Sequence, residues 1–217
     1  GVIGGHIDHV AVCGGGGTDL GQIVVAGDAR IQRRIPTSHP GAEGIRAWVK
    51  EADARFFNLE TTIFRESEGL WGNSLNGGSY LRADPEVLED LKAYGFNMTS
   101  FCNNHSLDYD IPGLLRTMEN VTESGLVHAG CGKNLDQAAA PAYLDLDDGR
   151  VALISCASSF TAASRAGAQT ANMKGRPGLN PLRFNKIFHL DPEHFAMAEA
   201  VAKASGVNAP MEKSVRN

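Results

Sequence analysis

The segment SFCNNHSLDYD, residues 100–110, ends an apolar run with two amides, a histidine and two carboxylates. The preceding GFNMTSF pattern is typical of a buried strand, and such strands usually end in turns of Gly, Pro, Ser or Asp. Asn103 and Asn104 can be turn residues in a left-handed conformation, with His105 a hydrogen-bonded core histidine. The alternative is a site that needs a neutral oxygen ligand and a proton donor side by side.

Polar residues follow two earlier strand patterns in the same way. Asp28 comes after IVVAG, and Asn58 and Glu60 come at the end of ARFFNLE. Each could be an ordinary turn or loop cap by itself, but the carboxyl ends of parallel strands meet at one edge of an α/β sheet, where ligands bind. Asp, Glu, Asn and His at that edge indicate a metal cluster, because carboxylates neutralise divalent ions and an amide oxygen completes their coordination.

Strand and helix patterns alternate along the chain from residue 22. Short β-branched or aromatic runs are separated by helical spacings that open with Asp-Pro and close at Gly, and AYLDLDDGRVALISCAS predicts a hairpin around Asp148-Gly149. This order predicts a layered α/β domain over residues 22–217, preceded by a flexible glycine-rich leader over 1–21. Residues 157–180 are expected to be a long loop, PLRFNKIFHLD one more strand, and DPEHFAMAEAVAKASG the last helix.

Composition excludes several classes of function. The 217 residues carry a net charge of −5, and no Lys/Arg stripe is present that could neutralise a nucleic-acid backbone. No apolar run approaches the length of a membrane span, and no signal-peptide pattern opens the chain. The four scattered cysteines fit buried free thiols in a reducing compartment. We expect a cytoplasmic location, or association with the cell envelope if a signal or anchor precedes this chain.

Three stretches resemble the CapA family of poly-γ-glutamate capsule biosynthesis, which belongs to the calcineurin-like metallophosphoesterase superfamily. They are VVAGD, ADARFFNLETTI and LKAYGFNMTSFCNNHSLDYD with the residues that follow it, and the resemblance covers roughly residues 22–156. It implies an α/β sandwich of metallophosphoesterase type, of which this chain holds the N-terminal part. GRPGLNPLRF, residues 175–184, is similar to a segment of some longer members.

The resemblance also implies roles for individual residues. Asp28 would be a terminal ligand, Glu60 the carboxylate bridging two divalent ions (Mn, Zn, Fe, Mg or Ca), and Asn104 the amide ligand. His105 would be the neighbouring acid or oxyanion stabiliser, with Asp108 fixing its tautomer and orientation. Substrate contacts are expected from Arg33 or Arg34, as a clamp for a phosphate or carboxylate, and from Asn58 and Asn103.

Two departures from the superfamily pattern stand out. The usual D-x-H opening is Asp28-Ala29-Arg30 here, so one histidine is missing, and neither His189 nor His194 lies in an H-x-H or G-H-x-x-H motif.

The expected function is metal-dependent hydrolysis of a phosphoester or of an amide or peptide-like bond in a small or peptide-like anionic substrate. The alternatives are metal-assisted peptide epimerisation and a non-catalytic module that assists polymer synthesis. Self-association, or a second chain completing the domain, is expected as well.

Overall fold

The structure of the protein is a computed structural model. This structure describes residues 10–14, 21–36, 38–75, 78–147, 149–185 and 187–206. The chain divides into two compact units, Gly1–Leu182 and Arg183–Asn217. The sequence prediction of one domain over 22–217 placed no boundary at this point.

Eleven strands and five α-helices are assigned within the described residues. The strands are β1 (Val10–Gly14), β2 (Ile23–Ala29), β3 (Ala54–Leu59), β4 (Thr62–Ile63), β5 (Arg82–Ala83), β6 (Met98–Ser100), β7 (Val127–Ala129), β8 (Cys131–Gly132), β9 (Ala142–Leu146), β10 (Gly149–Ser155) and β11 (Gly178–Leu179). The helices are α1 (Ala42–Lys50), α2 (Glu86–Ala93), α3 (Asp110–Glu123), α4 (Leu135–Ala139) and α5 (Pro192–Ser205).

The centre of the first unit is a four-stranded parallel sheet in the order β2-β3-β6-β7. Helix α3 buries Leu114, Thr117 and Val121 at helical spacing against one face of this sheet, and α2 buries Val87 and Leu88 there as well. The predicted alternation of strands and helices, and with it the layered α/β fold class, is confirmed.

A second, antiparallel sheet in the order β1-β10-β9 shares a core with the other face of the parallel sheet. Phe56 and Met98 from the parallel sheet meet Val151 and Leu153 from the antiparallel sheet in this core. The pairing of β9 with β10 confirms the predicted hairpin. The result is three layers: helices, parallel sheet and antiparallel sheet.

The segment expected to be a flexible leader contains a strand. Residues 10–14 form β1, which pairs with β10 along its whole length, from Val10 opposite Ser155 to Gly14 opposite Val151. The edge of β10 provides hydrogen-bond partners that the local glycine-rich pattern does not reveal. Residues 1–9 and 15–20 of the leader, with His6 and His9 among them, lie outside the described residues.

Residues 157–180, which the sequence predicts to form a long loop, contain a strand and regular backbone hydrogen bonds. The strand is β11, which pairs with β8, and Asn180 donates from its backbone N–H to the carbonyl of Gly130 at 2.8 Å. The strand predicted in PLRFNKIFHLD is wrong for its described residues, because Ile187 and Phe188 are largely exposed and no strand is assigned there.

Helix α5 of the second unit begins and ends at the residues that the sequence predicts. Asp191 caps its first turn by accepting a hydrogen bond from the His194 N–H, and Gly206 ends it with a left-handed backbone. None of the described helices combines the length and the hydrophobicity needed to cross a bilayer.

Candidate metal and catalytic site

A row of aligned residues crosses the carboxyl end of the parallel sheet. Asp28 of β2 lies opposite Asn58 of β3, and Asn58 lies opposite Ser100 of β6. Residues in register on neighbouring strands point to the same face of the sheet. The Ser100 hydroxyl is 2.5 Å from that of Ser155 on the antiparallel sheet, so this row ends where the two sheets are hydrogen-bonded to each other.

Two amide side chains form a hydrogen-bonded chain along this row. Asn58 Nδ2 donates to Asp28 Oδ1 at 2.9 Å, and Asn103 Nδ2 donates to Asn58 Oδ1 at 3.1 Å and to the Leu59 carbonyl at 2.8 Å. Asn103 Oδ1 in turn accepts from the His105 N–H at 3.0 Å. Asn103 is fully buried, so its amide positions neighbours; the prediction that Asn58 and Asn103 contact substrate stays a prediction.

Glu60 follows β3 and is buried beside Asp28. Burial, followed by the negative charge of Asp28, raises the pKa of the Glu60 carboxyl, while His105 and Arg30 act in the opposite direction. The backbone also brings the two residues close, because the Glu60 N–H donates to the carbonyl of Ala29, the residue after Asp28, at 3.3 Å. Two neighbouring carboxylates repel each other unless a proton or a cation reduces their repulsion.

Arg30 brings a positive charge to this carboxyl pair. Its Nε lies 3.5 Å from Glu60 Oε2, and its side chain is 57% exposed whereas that of Glu60 is 10% exposed. The same guanidinium opposes protonation of His105, which places it within electrostatic reach of the imidazole. Arg30 therefore lies at the solvent side of the carboxyl pair, near His105.

His105 and Asp108 form the second part of the site. His105 Nδ1 is 2.8 Å from Asp108 Oδ2, and the same carboxylate oxygen accepts from the Leu81 N–H at 2.8 Å. The hydrogen bond to Asp108 raises the pKa of His105, against the effect of burial, and the charges of Asp108 and Glu60 raise it further. Because Asp108 is completely buried, it fixes the ring orientation and leaves Nε2 for another partner.

Asn104 lies on the same turn with its side chain exposed to solvent. No hydrogen bond of its side chain is present within the described part of the chain, in contrast to Asn103. An exposed, uncommitted amide is available to a ligand, so its predicted role as a metal ligand stays a prediction. The structure does not bring it into hydrogen-bonding contact with Asp28 or Glu60.

The two arginines predicted to clamp an anion differ in their surroundings. Arg34 makes two hydrogen bonds to Asp90, Nε–Oδ2 at 2.7 Å and Nη2–Oδ1 at 2.6 Å, so its guanidinium is already occupied. Arg33 is exposed and lines a cavity of about 310 Å³. The charged residues around that cavity are Arg33, Arg34, Arg65, Arg82, Asp84 and Glu86.

The donor set decides which ions the site could hold. Asp28 and Glu60 bring two carboxylates to this end of the sheet, and carboxylate oxygens are ligands that Mg²⁺, Ca²⁺ and Mn²⁺ accept in proteins. Among the described residues, no three His, Cys, Asp or Glu side chains are grouped closely enough to form a metal site. The expected pair of divalent ions (Mn, Zn, Fe, Mg or Ca) stays a prediction.

One residue of the site was not among the predicted functional residues. Arg30 was noted only as the residue that replaces a histidine, whereas the structure places it against Glu60. The sequence feature that could have identified Arg30 is its position two residues after Asp28, because a residue just past the end of β2 can reach the loop that follows β3.

Comparison with known proteins connects this geometry to a family. Residues 22–210 match the family described as bacterial capsule synthesis protein PGA_cap. The chain is 40% identical over 184 residues to the uncharacterized protein y4sH of Sinorhizobium fredii (strain NBRC 101917 / NGR234), which covers 83% of this chain and 39% of that protein.

More distant relatives carry functional names. The chain is 28% identical to the PGA biosynthesis protein CapA of Bacillus subtilis (strain 168), over 71% of this chain and 40% of that protein. It is 25% identical to the capsule biosynthesis protein CapA of Bacillus anthracis, over 63% of this chain and 32% of that protein. The chain thus spans about two fifths or less of the length of these relatives.

Proposed function

Because the chain belongs to the bacterial capsule synthesis family PGA_cap, we propose that it contributes a metal-dependent hydrolytic site to capsule polymer metabolism. The bond cleaved is a phosphoester or an amide or peptide-like bond of the polyglutamate type. The observation that carries this proposal is the position of Asp28 and Glu60 at one end of the parallel sheet, beside the hydrogen-bonded His105–Asp108 pair. A role in capsule biosynthesis also fits association with the cell envelope.

Each side chain of the site has a distinct task in this proposal. Asp28 and Glu60 hold a divalent ion, and Asn58 orients Asp28 through its hydrogen bond. That ion would supply Lewis-acid polarisation of the scissile group and activation of a water as the nucleophile.

His105 acts on the leaving group. Its raised pKa favours the protonated imidazolium, which can donate a proton from Nε2 or stabilise a developing oxyanion while Asp108 holds Nδ1.

The second candidate function is a non-catalytic module that assists polymer synthesis. The observation in its favour is that the described residues contain no cluster of three His, Cys, Asp or Glu side chains suited to a metal. A binding module needs no such cluster, so the two functions differ in their dependence on a divalent ion.

The test combines metal titration with a small substrate panel. Calorimetric titration of the 217-residue chain with Mn²⁺ is expected to show binding that Asp28→Asn and Glu60→Gln each weaken. Hydrolysis of bis(p-nitrophenyl) phosphate and of γ-glutamyl-p-nitroanilide is then measured with Mn²⁺ and with EDTA. EDTA-sensitive turnover of either substrate supports the proposal. Turnover of neither, with Mn²⁺ bound, supports the binding module instead.

A further inference from the structure

The cavity of about 310 Å³ that Arg33 lines has an unusual concentration of guanidinium groups. Its charged lining residues are four arginines and two carboxylates, Arg33, Arg34, Arg65, Arg82, Asp84 and Glu86. The whole chain carries a net charge of −5, so this excess of positive charge is local. The volume lies at the lower end of the range of small-molecule pockets, which suits a small ligand or one end group of a larger one.

Both lining carboxylates are already bound to arginines. Glu86 Oε1 lies 2.6 Å from Arg65 Nη2, and Asp84 Oδ1 lies 2.8 Å from Arg82 Nη1. Arg82 Nη1 also donates to the Phe64 carbonyl at 3.1 Å, and Arg82 Nη2 lies 3.4 Å from a carboxylate oxygen of Glu66. Arg82 is therefore a fixed part of the cavity wall, and the negative charges of the lining are spent on these pairs.

Arg34 is fixed from outside the lining. Its Nε and Nη2 donate to the buried carboxylate of Asp90, which is not among the residues around the cavity. Arg65 uses only Nη2 for Glu86, and its Nε and Nη1 make no hydrogen bond to a described side chain or carbonyl. Arg65 thus keeps N–H donors after its ion pair has formed.

Arg33 is the lining arginine whose charge is left over. It is exposed, and it makes neither an ion pair nor a hydrogen bond with any residue that the structure describes. A guanidinium in this state presents a planar fork of N–H donors, which matches the oxygens of a carboxylate or a phosphate. An oxyanion in the cavity would neutralise Arg33 and could accept further hydrogen bonds from Arg65.

We propose that this cavity binds the carboxylate or phosphate group of a small anionic ligand, with Arg33 supplying the uncompensated charge and Arg65 further donors. The anion that the sequence predicts for Arg33 or Arg34 is thereby assigned to Arg33 and to a site of its own. This inference goes beyond the proposed hydrolysis, because Asp28, Glu60 and His105 are not among the lining residues and no metal ion is needed.

The test measures binding of inorganic phosphate and of succinate to the 217-residue chain by calorimetry, in EDTA and at constant ionic strength. EDTA removes divalent ions from the measurement, and constant ionic strength keeps the screening of exposed charges equal. Arg33→Ala is expected to weaken binding about tenfold, because charge-assisted hydrogen bonds are lost. Arg176→Ala is the matched control, since Arg176 is also exposed and does not line the cavity.

Two further variants separate the geometry of the site from its charge. Arg33→Lys keeps the charge but loses the planar fork, so it should keep only part of the affinity. Glu86→Gln releases Arg65 from its carboxylate and should tighten anion binding by about threefold, because a competing negative charge leaves the cavity wall. Circular dichroism confirms that each variant is folded.

Binding of phosphate or succinate that Arg33→Ala weakens and Arg176→Ala does not supports the inference, and the tighter of the two anions identifies the group that the cavity prefers. Absence of binding of both anions to wild type overturns it, as does binding that Arg33→Ala leaves unchanged. Equal losses in Arg33→Ala and Arg176→Ala overturn it too, because the anion would then respond only to the net charge. Each of these results leaves the proposed hydrolysis untouched, since no divalent ion takes part.

Discussion

The side-chain amide of Asn58 on β3 donates a hydrogen bond to Asp28 on β2, with Nδ2 and Oδ1 separated by 2.9 Å. The two residues are 30 positions apart in sequence but directly opposite each other in the parallel pair. The hydrogen bond fixes one carboxylate oxygen of Asp28.

Asn58→Ala is expected to lower Mn²⁺ affinity about tenfold, because Asp28 loses the donor that orients it. The free energy of unfolding should fall by about 2 kcal/mol, because the side-chain hydrogen bonds to Asp28 and from Asn103 are both lost and each is worth about 1 kcal/mol net. Asn120→Ala is the control for losing a partly buried amide hydrogen bond elsewhere, since Asn120 Nδ2 donates to the Ile63 carbonyl at 2.8 Å in another part of the unit. Both variants should lose stability in urea, and only Asn58→Ala should lose metal affinity. Equal metal affinity in the two variants would remove Asn58 from the site.

Glu60→Gln is expected to weaken Mn²⁺ binding at least tenfold without lowering the stability of the metal-free chain. The substitution keeps the shape of the side chain and removes a buried negative charge near Asp28. Calorimetry gives the affinity and thermal unfolding in EDTA gives the stability. Glu43→Gln, at an exposed position of α1, should change neither quantity. A Glu60→Gln chain that binds Mn²⁺ like wild type would show that Glu60 is not a ligand.

His105→Ala is expected to keep Mn²⁺ affinity within about threefold while turnover of the responsive substrate falls about 100-fold or more. The reason is that the proposed ligands are Asp28, Glu60 and Asn104, whereas His105 is held by Asp108 and acts on the leaving group. Calorimetry and steady-state kinetics on the same preparation separate the two effects. Loss of metal together with activity would mean that the roles of Asn104 and His105 are interchanged.

Asp90→Asn is expected to lower the melting temperature at pH 7 by roughly 2–4 °C, because Arg34 and the Ile35 N–H lose a charged acceptor. The hydrogen bond from Arg34 holds the pKa of Asp90 below its ordinary value, although burial opposes this effect.

A lowered carboxyl pKa contributes stability above the unfolded value of about 3.9, and this contribution is lost as the pH falls through the folded value. The difference between wild type and Asp90→Asn should therefore shrink below about pH 4. Asp136→Asn, at an exposed position, is the control for removing one carboxylate charge. A constant difference from pH 7 down to pH 2 would contradict the assignment.

Gly130→Ala is expected to destabilise the first unit by more than about 2 kcal/mol. Gly130 has a φ of 102°, and a Cβ there would lie 2.4 Å from that of Cys102 and 2.8 Å from that of Ser155. Urea unfolding measures the loss. Gly125→Ala is the control for backbone strain alone, since its φ is 79° but nothing lies within 4 Å of the added Cβ. Similar losses in both variants would show that the contacts around Gly130 yield easily.

Much of the fold could be predicted because its signals are local. The alternation of apolar runs with helical spacing gave the layers, and Asp191 with Gly206 marked both ends of α5. The site edge could be predicted for a topological reason. Parallel strands end at one edge, so Asp28, Asn58 and the turn after β6 had to come near one another.

The remaining features depend on which distant residues meet. Asn103 and Asn104 are identical in type and adjacent in sequence, yet only the folded chain buries the first against β3 and leaves the second in solvent. Likewise, Arg30 and Arg34 are only a few positions apart in sequence, but they have different partners. Glu60 lies near Arg30, whereas Asp90, 56 residues after Arg34, binds Arg34.

The sequence by itself thus determined the element types, the sheet edge and the residue types available there, since these follow from periodicity, capping and strand direction. Only the tertiary structure decided the hydrogen-bond and ion-pair partners of each polar side chain. The physical reason is that such interactions act over a few ångströms, so their partners are set by long-range packing that no local pattern encodes.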